Sequence, residues 1–339
     1  MTERGLAVWL GIVTAGFVAS ALFEQAELGL MIALAGMFAV AHAVDVDRRW
    51  SLLHGFLAWI PPAAGMLMFV GIAWYFRLLP LPAAERSVGT VVSLAAAAAS
   101  LLLAVRPLTS ALARMMFGGA ASGPADRLGA RLVALGFLLA VPGWLLVRGL
   151  AEAGVIDSLA LDAPALIGSM AGFTLLSLGG VGLLVRRDLR AAAARLGLAP
   201  MRGRDLLVMV AGLAGIVGLN WAAEWVASEY LPGAYAHDQA MNERIAGRLT
   251  RGETLLLGIS AGVGEELAMR GALQPRLGLV TTSVLFAVLH VHYSPLGIGT
   301  IAALGVILGV IRNRSNTTTA IAVHVLYDIF AAIGIQQGG

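Results

Sequence analysis

Apolar residues run along this chain in long unbroken blocks, separated by short clusters of Arg, Gly, Pro and acids. A helix on a soluble surface shows one apolar stripe with a polar back, and a half-buried strand alternates. Blocks that are apolar all round suit helices surrounded by lipid or by one another. A hydrocarbon core of roughly 30 Å takes about 20 residues of helix. By that ruler the sequence predicts spans near 6–23, 28–44, 51–76, 87–105, 128–149, 163–185, 205–227, 254–272, 279–293, 297–311 and 317–335. The expected fold is all-α, a polytopic transmembrane bundle of about eleven spans, within a range of about nine to twelve. Pro61 and Pro62 remove backbone donors and predict a kink in the third span. The ninth is short enough to be broken or only partly inserted.

The loops carry the orientation. Seventeen of the 23 arginines fall in loops on one side of this threading, and the other six are Arg77, Arg86, Arg148, Arg244, Arg248 and Arg251. The positive-inside rule then predicts a cytoplasmic N-terminus. The first apolar stretch, from Leu6, is too long for a signal h-region and reads as a retained span. Arg186 to Leu198 has the pattern of an interfacial amphipathic helix or of a solvated linker helix. Ser228 to Arg251 is polar and predicts an exposed helix beside the membrane.

Composition narrows the picture further. Hydrophobic residues make up 59% and charged ones 13%, against about 25% charged in soluble domains. There is no cysteine, which excludes disulfides and thiolate metal sites. The net charge of +3 is small and scattered, so nucleic acid is not an expected partner. Every basic residue is Arg, and with the wealth of Ala and Gly this points to a bacterial plasma membrane protein.

A soft boundary near Pro200 separates an N-terminal transmembrane extension of no assigned role (1–199) from a C-terminal bundle (200–339). Ionisable groups are costly in hydrocarbon and mark function there. They gather after the boundary: Glu224, Glu265, Glu266, Arg270, His290, His292, His324 and Asp328. Glu266 and Arg270 are four apart and can pair on one helix face. Glu265 lies about 100° round the helix and must face another polar group. Phe286 and His290 share a face, as do His324 and Asp328, and His292 should point away from His290. Two imidazoles and a spare carboxylate on three neighbouring spans suggest a joint site.

In order, Glu265-Glu266-x-x-x-Arg270, Phe286-x-x-x-His290 and His324-x-x-x-Asp328 resemble the motifs of the CPBP family of intramembrane proteases, which includes CAAX prenyl endopeptidases and the bacterial Abi proteins. The resemblance covers roughly residues 200–339. It implies that Glu265 activates water as general base, with His290 helping to hold that water. His324, assisted by Asp328, would stabilise the oxyanion. Glu266, Arg270 and Phe286 would support them. CAAX endopeptidases carry Asn at the position of Asp328, so the acid here is either protonated or orients His324. Glu265, His290 and His324 could also form a His₂Glu zinc triad, although the HExxH spacing is missing. The balance leans to metal-free water activation.

The implied partners are a membrane-associated peptide or protein substrate and the lipid bilayer. For a bacterial chain, peptide pheromones, bacteriocin precursors and membrane-protein tails are better substrate candidates than prenylated proteins. The competing readings are a non-catalytic scaffold or immunity protein of the same family and a proton-coupled transporter.

Overall fold

Each apolar block folds as helix, and the way the blocks end is written in their boundary residues. The computed structural model describes residues 2–118, 123–154 and 161–338, and no strand occurs among them. The first half comprises α1 (Thr2–Leu22), α2 (Ala26–Val46), α3 (Ser51–Leu57), α4 (Ile60–Phe76), α5 (Ala83–Leu102), α6 (Arg106–Phe117), α7 (Pro124–Glu152), α8 (Ala163–Gly180) and the short α9 (Leu189–Arg195). After it come α10 (Gly203–Tyr230), α11 (Pro232–Ala246), α12 (Arg251–Glu266), α13 (Gln274–Leu277), α14 (Leu279–Val288), α15 (Pro295–Arg314) and α16 (Thr317–Gly338). As Pro61 and Pro62 predict, the third span breaks between α3 and α4, with both prolines in the first turn of α4, where their missing donors cost nothing.

Among the described residues eight helices are long and apolar enough to cross a membrane. A ninth span is added if α5 and α6, bent 96° apart, count as one. Two further predicted segments are helical but differ. The eighth, α12, runs on into a wide turn and carries Glu265, Glu266 and Arg270 within it. The ninth, α14, is a ten-residue helix and does not span. The expectation for 87–105 missed α6 altogether, because nothing in an apolar run signals a right-angle turn.

The chain threads up and down, and contacts define two ends. At one end Arg49 pairs with Glu3, Arg186 with Asp45 at 3.0 Å and Arg276 with Asp126 at 2.9 Å. Thr317 Oγ1 there donates to Leu196 O at 2.7 Å. At the other end Trp144 Nε1 donates to Tyr293 O at 3.1 Å, and Gln336 Nε2 to Ala246 O at 3.0 Å. The two regions either side of Pro200 share a core: Trp9, Ala35, Val185 and Leu196 pack with Leu267. In the 186–198 segment Ala192 and Leu196 are fully buried, so its apolar side packs against the bundle.

Candidate active site

α12 and α16 cross in backbone contact, and glycine is what permits it. A Cβ on Gly262 would stand 2.8 Å from Val325 N, and one on Gly258 would stand 2.8 Å from Val325 O. On its other side α12 is held by α8, where Ser260 Oγ donates to Leu166 O at 2.6 Å. Small residues thus bring three helix axes together and carry Glu265 and Glu266 to the level of His324. By a 1.5 Å rise per residue, Glu265 lies about 21 Å down α12 and His324 about 10 Å up α16. The two depths are complementary across a core of roughly 30 Å.

Past Glu266 the helix widens into a π turn over Leu267–Leu273, closed by Gln274 N on Met269 O. Such turns displace side chains from α-helical register and recur at functional sites. Here Arg195, from α9, donates to Gly271 O at 3.2 Å and Ala272 O at 3.4 Å. Gln274 Nε2 bonds Gly309 O at 2.9 Å and Asn313 Oδ1 at 3.0 Å. The distortion is therefore braced from two sides. No pattern of apolar positions signalled it.

Glu266 is 0% exposed and Arg270 is 1% exposed. Arg270 NH1 lies 3.2 Å from Glu266 Oε1, its NH2 donates to Gly305 O at 3.2 Å, and its guanidinium stands 4.7 Å over the Phe286 ring. The same Glu266 Oε1 is 3.0 Å from His324 Nδ1. A carboxylate paired with Arg is ionised and only accepts, so Nδ1–H of His324 is the donor. The expected i,i+4 pair is present, and it does more than the spacing revealed: Glu266 fixes the tautomer of His324.

Fixing Nδ1 turns Nε2 of His324 toward two other acids, Asp328 Oδ2 at 3.4 Å and Glu265 Oε2 at 4.0 Å. The Glu265 side chain is 24% exposed. At 4.0 Å it is beyond direct hydrogen bonding, so it is near the imidazole but uncommitted. Phe286 packs edge-on against both rings, 4.7 Å from His290 and 6.2 Å from His324. His290 Nδ1 is held by Phe286 O at 2.8 Å. Because α14 stops at Val288, His290 lies in the turn just past it, beside Phe286. His292, expected to point away, brings its ring to 5.8 Å from His290.

The loop after α14 is roofed by α11. Asp238 accepts from Ser294 N and Oγ, both at 2.7 Å; Asn242 accepts from Tyr293 OH at 2.7 Å; and His237 Nε2 lies 2.9 Å from His292 O. The segment expected to be an exposed helix is thus a strap over the site. Its signal in sequence was only polarity.

A His₂Glu zinc cage requires Glu265, His290 and His324 to converge on one point at about 2.0–2.2 Å. Among the described residues no three His, Asp or Glu side chains form such a group. One nitrogen of each imidazole is engaged, by Glu266 and by Phe286 O, which leaves Nε2 of each ring open.

Residues 249–330 match the family model described as Rce1-like, type II CAAX prenyl endopeptidase. The match runs from the start of α12 into α16 and includes all seven residues singled out above. No curated protein and no solved structure matches the chain.

Proposed function

We propose that the chain is an intramembrane endopeptidase in which Glu265 takes a proton from water and His324 polarises the scissile carbonyl. The observation that carries this reading is the geometry around one imidazole. Nδ1 is tied to the buried Glu266, and Nε2 faces an uncommitted Glu265 at 4.0 Å and Asp328 at 3.4 Å.

A water between Glu265 and the carbonyl carbon of a bound peptide gives its proton to the carboxylate and attacks, and the protonated Glu265 passes that proton to the leaving amine. Charge builds on the carbonyl oxygen, where His324, protonated at both ring nitrogens, donates its Nε2–H to it. Glu266 holds Nδ1–H and offsets the charge of the imidazolium, as the carboxylate of a serine triad does for its histidine. With Nδ1 taken by Glu266, Asp328 acts at Nε2; in its protonated form it is a second donor to the oxyanion, which reconciles an acid with a position where relatives of this family carry Asn. His290 packs edge-on with Phe286 and has one ring nitrogen engaged, and its other nitrogen is available to hold the water. The arginine-rich end is the cytoplasmic one by the positive-inside rule. Substrates are membrane-associated peptides or protein tails.

Comparative peptidomics of membrane and secreted peptides tests this, with cells carrying the wild type or Glu265→Gln, each with and without a chelator. Peptides should accumulate or vanish in the variant, whatever the chelator does. A peptidome unchanged by Glu265→Gln across several growth conditions would move the reading to a non-catalytic scaffold, and chelator-sensitive cleavage would reinstate a metal.

A further inference from the structure

The deepest positive charge outside the site is Arg131, on α7, only 4% exposed. Its Nε donates to Leu103 O at 2.9 Å, at the corner where α5 turns into α6. Its NH1 is buried and has no acceptor. No carboxylate pairs with it among the described residues; of the acids at that end of the bundle, Asp45 pairs with Arg186 and Asp126 with Arg276. A buried guanidinium with no counter-charge is costly, and the cost is relieved by an anion from outside the chain.

The surroundings favour such an anion. Arg127 lies one turn before Arg131 on α7, Arg106 opens α6 three residues after the Leu103 carbonyl that holds Arg131, and Leu57, one turn after His54 on α3, packs with Leu128 of α7. α6 leaves α5 at 96°. It buries Thr109 and Ala113 and exposes Leu108 and Met115, as a helix lying in the membrane interface does. Arg131 sits about 10 Å along α7 from Pro124, a depth that a phospholipid phosphate with its glycerol reaches beside an interfacial helix.

We propose that Arg106, Arg127, Arg131 and His54 form a binding site for a phosphate-bearing anion, presented by an anionic phospholipid headgroup or as free phosphate. Arginine forks match phosphate oxygens in paired hydrogen bonds, and NH1 of Arg131 supplies a donor already desolvated. The apolar flank of Leu108 and Met115 favours the lipid.

The test uses the full-length protein in phosphatidylcholine nanodiscs, with phosphatidylglycerol added in one arm and inorganic phosphate in another. Thermal midpoint and lipid retained in native mass spectra are read for the wild type, Arg106→Ala and Arg131→Gln. Phosphatidylglycerol should raise the wild-type midpoint and remain bound. Each variant should weaken that binding on the order of tenfold, the scale of one charge-assisted hydrogen bond. A midpoint raised by inorganic phosphate but not by the lipid supports the site with free phosphate as occupant. Should neither stabilise the wild type, or should exposed, readily folded Arg106→Ala bind as the wild type does, the proposal is overturned. Arg106→Ala decides the matter even if Arg131→Gln does not fold.

Discussion

Two buried arginines, one on each side of the boundary near Pro200, are treated differently by the fold. Arg270 is matched by Glu266, a carbonyl and an aromatic face. Arg131 has one carbonyl and no acid. The distinction is the counter-charge rather than a hydrogen-bond tally, since Arg270 too leaves its Nε without an acceptor. A charge neutralised within the chain stabilises a fixed arrangement, here the orientation of His324. An unneutralised one is the feature from which we propose an external anion. On the proposed reading, the residues after Pro200 hold the catalytic groups in fixed positions, and the corner at Arg131 receives an anion.

The comparison can be broken by mutation. The largest stability effect should come from Glu266→Ala, which strands Arg270 and loosens His324. Removing one partner of a buried pair costs about 3–5 kcal/mol, read as a fall in denaturation midpoint, with cleavage lost as well. Gly262→Ala should be next. Its new Cβ has to push Val325 away at the crossing of α12 and α16, an overpacking cost of about 1–3 kcal/mol, with lost activity because His324 moves with α16. Ser260→Ala gives up one buried hydrogen bond to α8, about 1 kcal/mol. The smallest effect belongs to Arg131→Met in neutral lipid. Because no acid is left unpaired, its midpoint should stay within about 1 kcal/mol of the wild type. A loss as large as that of Glu266→Ala would erase the distinction between the two arginines.

Much of this was legible in the sequence for a physical reason. Lipid forbids unsatisfied backbone, so every span announces itself as an apolar block, and every ionisable group inside one stands out. The spacings of Glu266 with Arg270 and of His324 with Asp328 fixed their faces, and both pairs are close in space. What spacing cannot show is reach across helices. Glu266 read as the partner of Arg270 alone, and its grip on His324 appears only once Gly258 and Gly262 let α12 and α16 touch. The π turn at Leu267–Leu273 and the right angle between α5 and α6 have no periodic signature. Arg131 was counted with the loop arginines although it falls just inside the expected span 128–149, because a count of charges along a chain does not show whether a guanidinium near the end of a span is covered.

The central claim is that Glu265 is the free base of the site. Its most direct test is cleavage of an internally quenched peptide library by the purified protein in nanodiscs, wild type against Glu265→Gln, with the midpoint measured alongside. The account predicts a fall in rate of roughly 10²–10⁴-fold, the usual worth of a general base, at an unchanged midpoint. A Glu265→Gln protein that folds and cleaves as fast as the wild type would contradict it.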